Sequence, residues 1–164
     1  TTQSAYQTGV LGLPMALGII GGQPERFKGM ADLHQRGAQE AGHPELPLSI
    51  NSHGFIADTS QEARDIAFPA FKQTMDKIGK ERGWSPMSRD QFEASTALRG
   101  ANVVGSPQEV IDKILFQHDI FGNGRFLLQM SVGSIPREKL LRSIELFATQ
   151  VAPAVNKELQ AETN

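Results

Sequence analysis

Two apolar runs in this sequence each carry a pair of polar side chains two residues apart: Asn51 and His53 in LSINSHGFI, and Gln129 and Ser131 in RFLLQMSVGS. On an extended backbone residues i and i+2 point to the same face, so each pair would be delivered together. The imidazole of His53 can hold or move a proton near neutral pH. Asn51 can orient a polar substrate beside it, while Gln129 and Ser131 offer an amide and a hydroxyl. A third run, MALGIIGG, ends in Gly21 and Gly22 behind Ile19 and Ile20. Glycines at a strand end let a planar ring or a phosphate approach the backbone, with an isoleucine packed on the ring. Each feature also has a plainer explanation. His53 could be a core histidine bonded to a backbone group, and the glycines could serve only a loop that needs positive φ before Pro24. The serine could be buried against backbone, with the glutamine in the layer between helices.

What the sequence lacks narrows the chemistry. With no Cys there is no disulfide framework, no zinc-thiolate site and no cysteine nucleophile, which fits a reducing compartment. No nucleophile elbow, Walker loop or GxGxxG is present. His34, His43 and His118 have no metal-ligand spacing and are expected to be solvated or capping groups, so no metal site is expected. Trp84 is expected to anchor its segment by burial, and Arg99 to be solvated rather than closed over an anion. The 16 Lys and Arg are interleaved with 18 Asp and Glu, for a net charge of −2; neither nucleic acid nor an anionic membrane is an expected partner. The apolar runs are far shorter than a membrane span, and TTQSAYQTG has none of the features of a signal peptide, so a cytoplasmic location is expected.

The elements that must position these residues alternate. Met15 to Ile20 reads as a strand buried on both faces. Glu25 to Ala41 reads as a helix entered through Pro24 and closed by Gly42. A second strand over Leu48 to Ile56 is broken by its polar patch, and Asp58-Thr59-Ser60 offers N-caps to a helix from Gln61 to Arg82 that Pro69 and Gly79 could kink or divide. Residues 83–104 lose periodicity and read as an insertion or lid. Ser106 caps a helix to about His118, a strand spans Phe126 to Ser131, and a last helix carries Leu140, Leu141, Ile144, Leu146 and Phe147 and ends near Pro153. The order predicts an α/β domain of three parallel strands with right-handed crossovers. Three strands are few for so many helices. Barrel-facing residues such as Ile50, Leu128 and Met130 would lack an opposite wall, and a sheet edge would stay unpaired. One domain, 1–164, is expected, as a slice of something larger.

Four stretches together, LGLPMALGIIGG, SHGFIADTSQEAR, VVGSPQEVIDKI and RFLLQMSVGSIPREKLLRSIELFATQVAP, resemble in order and spacing the C-terminal half of the luciferase-like flavin-dependent monooxygenases, the group of bacterial luciferase and alkanesulfonate monooxygenase. The resemblance implies the C-terminal portion of a (β/α)8 TIM barrel, with the insertion at 83–104 before the final strand. It implies a flavoprotein oxidoreductase, a monooxygenase acting with reduced FMN and oxygen on a small-molecule substrate, or with F420 in place of FMN. The partners it implies are a flavin reductase or free reduced flavin, together with a homo-oligomer or completion by an N-terminal half. It places His53 as the catalytic residue, Asn51 against substrate, and Ile19, Gly21, Gly22, Gln129 and Ser131 against the cofactor. Alkanesulfonate monooxygenases have a histidine at the place of His53 but an arginine at that of Asn51, so a sulfonate substrate is not expected. Luciferase has a tryptophan close to Ile19, whose ring contact cannot be copied. The family's main phosphate loop precedes the first of these stretches, so these residues alone are expected to bind FMN weakly. The other reading is a non-catalytic flavoprotein or assembly module on the same fold.

Overall fold

The computed structural model describes residues 1–162. Helix α1 (Thr2–Val10) leads into strand β1 (Met15–Ile19), a 3-10 turn at Pro24–Phe27 and helix α2 (Lys28–Glu40). Strand β2 (Leu48–Ile56), α3 (Ser60–Arg82), α4 (Arg89–Thr96), β3 (Val103–Gly105), α5 (Pro107–Phe121) and β4 (Arg125–Gln129) follow. Helix α6 (Arg137–Leu146) runs through a π turn at Phe147–Val151 into α7 (Ala152–Glu162). All strand pairs are parallel, and β2 is the hub: it pairs with β1, with β4, and near its end with β3.

Local chemistry sets the boundaries. Thr59, Ser88 and Ser106 each accept from the backbone N–H three residues on, capping α3, α4 and α5, and Gln91 completes a capping box with Ser88. Gly83 and Gly122 end α3 and α5 in the left-handed region, where only glycine is free of strain.

Alternation along the strands splits the sheet into a packed face and an open one. Leu17, Ile19, Leu48 and Ile50 pack with Ala31 beneath α2. Ile56 and Val103, with Leu128 and Met130 against them, pack on α5, α6 and α7. Burying a side chain the size of Ile19 or Ile50 is worth about 1.5–3 kcal/mol, so this face fixes the register. A third cluster, Phe55, Phe71, Phe92 and Val104, lies where α3 and α4 cover the carboxyl end of β2.

Several expectations are corrected. The described residues form four strands, because 83–104 contains α4 and ends in β3. Strand β1 is buried on one face only, with Ala16 and Gly18 exposed. Strand β2 is unbroken: its ladder bonds are backbone groups, and its polar side chains alternate with apolar ones. Ile50, Leu128 and Met130 belong to the helix-side clusters and do not face a barrel interior; that face carries the other phase of the alternation. Helix α3 is continuous through Pro69, which is exposed, so the carbonyl it deprives of a donor lies on the solvent side. Pro153 does not end the last helix but sits in the first turn of α7. The preceding π turn takes up the register change where proline lacks an N–H. Trp84 is 55% exposed and lies under the Arg82 guanidinium rather than buried. His34 is fully buried, with Nε2 2.8 Å from the Leu13 carbonyl. Among the described residues no helix is long and apolar enough to cross a membrane.

Candidate functional site

The open face is built from the polar phase of the strands. In register, Gly18 lies across from Asn51, and on the other side Asn51 faces Leu127 while His53 faces Gln129. Partners across a parallel ladder share a face, so Gly18, Asn51, His53, Leu127 and Gln129 form one surface toward the carboxyl ends of the strands, the end at which parallel α/β sheets and barrels bind ligands.

Two atoms of this surface stand out. Asn51 Oδ1 and His53 Nδ1 are shielded from solvent and have no hydrogen-bond partner. Shielded polar atoms normally find partners, and leaving one unmade costs about 1–3 kcal/mol. The His53 ring meets Phe71 of α3 edge-on, with centroids 5.8 Å apart at 72°. Burial lowers the His53 pKa below the usual histidine value, which favours the neutral ring. A neutral imidazole with an unengaged nitrogen can accept a proton or donate one, according to its tautomer.

Gly21 and Gly22 follow β1 at the same end and are exposed; a Cβ at either would meet nothing within 4 Å, and Gly22 has φ +77°. The turn conformation requires glycine at position 22, and the surrounding space is open at both. Gln129 is exposed beside His53.

Two of the expected site residues are placed differently. Ile19 is fully buried in the helix-side core with Ala31 and Ile50, so its side chain is turned away from Asn51 and His53. Its neighbour Gly18 occupies the face instead. Ser131 lies beyond the last residue of β4 and is exposed, so the alternation that tied it to Gln129 has ended. The chain there is held by Gly133, whose φ is +76° and which packs on the Ala70 carbonyl and Thr74 of α3.

Gly18 and Phe71 went unnoticed in the sequence. Gly18 could have been found from the alternation, once Leu17 and Ile19 were taken as the buried phase. Phe71 had no local signal, because its contact with His53 spans a crossover. Arg99 pairs with Glu25 at 2.6 Å, and His43 and His118 bond the carbonyls of Val10 and Asn123.

No protein-family model matches the sequence, nor does any curated protein. Solved structures do match. A monooxygenase from Streptomyces bottropensis is similar at 25% identity and a TM-score of 0.72, over 94% of this chain and 45% of that one. The oxygenating constituent of 3,6-diketocamphane monooxygenase from Pseudomonas putida, a type II Baeyer-Villiger enzyme in complex with FMN, is similar at 21% identity and 0.67, over 92% and 45%. The coenzyme F420-dependent tetrahydromethanopterin reductase from Methanopyrus kandleri is similar at 18% identity and 0.57, over 94% and 49%. This chain therefore spans about half the length of each of these three structures. The fold of this chain is thus similar to part of the luciferase-like flavin-dependent monooxygenases, which are TIM-barrel proteins, and shares their parallel strands and covering helices.

Proposed function

We propose that this chain is the C-terminal portion of a flavin-dependent monooxygenase whose cofactor lies on the open face of the sheet, beside His53. The observation that carries the proposal is the pair of shielded, unpartnered atoms Asn51 Oδ1 and His53 Nδ1 on a face they share with Gly18, Leu127 and Gln129. Such a face fits a planar heterocycle with hydrogen-bonding edges: the glycine admits the ring, the leucine packs on it, and the two polar atoms receive its edge. FMN is the first candidate and F420 the alternative. The flavin, when bound, supplies the oxygen or hydride chemistry.

The residues of this chain bind, orient and shield. Gly18, Gly21 and Gly22 give close approach to the backbone of β1, and Gln129 offers its amide from β4. Asn51 holds a polar group of a small organic substrate. His53, whose neutral form burial favours, takes or returns a proton at its unengaged nitrogen. Phe71, backed by Phe92 at 5.5 Å, closes the His53 side to water, which gives 83–104 a role as a lid through α4. Ser131 lies near enough in sequence to act from the following loop, whereas Ile19 would act only through packing. Reduced flavin would come from a flavin reductase or from the free pool, the protein would act in the cytoplasm, and a further half-barrel or a second subunit would complete the wall.

The test is His53→Asn in the full-length gene product. Because Nδ1 makes no bond, the melting temperature should stay within a degree or two. Oxygen consumption with reduced FMN and candidate aldehydes or alkanes should fall about tenfold or more, the scale of a lost general acid or base. Unchanged turnover would remove His53 from the chemistry. A full-length protein that retains flavin tightly without any turnover would favour the non-catalytic flavoprotein.

A further inference from the structure

At the opposite end of β4 from Gln129, a cavity of about 210 Å³ opens between α5, the start of β4 and α7. Its walls are apolar: Ile114, Phe126, Phe147 and Val155. Phe147 opens the π turn and Ala152 follows it, and both line the cavity. The wider π turn thus shapes its wall, and such turns are frequently found at functional sites.

The polar side chains at the cavity are His118, Asn123, Arg125 and Asn156, and the charge among them is that of Arg125. Arg125 lines the cavity, is exposed and forms no ion pair among the described residues. His118 stands beside it with Nδ1 3.1 Å from the Asn123 carbonyl, an acceptor that fixes the proton on Nδ1. Among the described residues no acidic side chain lines the cavity. An apolar chamber with an unneutralised guanidinium at its edge selects a small molecule with an apolar body and one anionic end, since guanidinium and carboxylate match in geometry as well as charge.

We infer that this cavity is a second ligand site, separate from the open face, for a small aryl or short-chain alkyl carboxylate. The body occupies the space between Phe126, Phe147 and Val155, and the carboxylate pairs with Arg125.

Benzoate and octanoate, titrated separately into the 15N-labelled full polypeptide, test this by amide chemical shifts. The expected result is saturable shifts in 114–126 and 147–159, with none at Asn51 or His53. Arg125→Gln, a change at an exposed position, should weaken binding about tenfold, and benzyl alcohol should bind no more tightly to the unaltered protein than to that variant. Ala152→Leu should abolish binding by filling the chamber, while thermal melting monitors its fold. Absence of saturable shifts at 10 mM of either probe would overturn the inference, as would equal affinity for Arg125→Gln. Shifts confined to the open face would assign the carboxylate to the proposed flavin site instead, and would likewise overturn it.

Discussion

Lys113 in α5 is 2% exposed, and its ammonium donates to the carbonyls of Thr96, Ala97 and Asn102 at 3.1, 2.6 and 2.6 Å. It ties the end of α4 and the approach to β3 onto α5. Replacing it in Lys113→Met leaves the Thr96 and Asn102 oxygens without this donor, while Ala97 keeps the N–H of Gly100. Two buried acceptors at about 1–3 kcal/mol each, less the relief of removing a buried charge, give an expected loss of about 2–4 kcal/mol at pH 7. The pH dependence is a sharper test. Burial pushes the Lys113 pKa down to about 7, well below its unfolded value of roughly 10.4. Between these values the unfolded chain holds the proton while the folded one releases it. Stability therefore rises with pH across that window, by at most about 1.4 kcal/mol per unit. Glu109 and Arg64 are the charged neighbours and act in opposite directions; they are held together at 3.0 Å. Urea unfolding of both proteins between pH 6 and 10 should show the advantage of the lysine growing above pH 7. A variant as stable as the parent at pH 7, or an advantage that shrinks as pH rises, would refute the reasoning.

Two other substitutions probe how the site is held. Gly133→Ala places a Cβ against the Ala70 carbonyl at φ +76°, and should cost about 2 kcal/mol or more, seen as a fall in melting temperature of about 5 °C or more. Ser143→Ala removes the hydroxyl that accepts from the buried Ile56 N–H at 2.8 Å; it should cost about 1–3 kcal/mol and speed hydrogen exchange at the Ile56 amide, whereas unchanged exchange would mean that the bond contributes nothing.

The alternation of β and α elements, the N-caps at Thr59 and Ser106 and the parallel sheet were all legible, because periodicity and capping are local properties. The phase of the strands was the main difficulty. Asn51 and Ile50 cannot both face a barrel interior, and only the contacts of Ile50 with Ala31 and Leu17 decide between them. Ile19 was misplaced for the same reason: one residue of shift along a strand exchanges the faces. Short elements were lost where Pro, Ser and Gly interrupt the pattern, as at α4, whose capping box at Ser88 and Gln91 was the available signal. The continuity of α3 through Pro69 and of the last helix past Pro153 depends on where the unpaired carbonyl points and on a π turn, neither of which a pattern of residue types reveals. Phe71 beside His53 is a product of the crossover and exists only in three dimensions.

The central claim is that the open face at the carboxyl ends of β1, β2 and β4 receives the flavin. Titrating the 15N-labelled polypeptide with FMN to millimolar concentration tests it directly, since amide shifts locate even a weakly bound ring. Shifts should concentrate at Gly18, Gly21, Gly22, Asn51, His53 and Gln129, and Gly18→Leu, which adds a side chain where a Cβ meets no neighbour within 4 Å, should suppress them without lowering the melting temperature. Shifts confined to the helix layer around Ile50, or a response unaltered in Gly18→Leu, would contradict it.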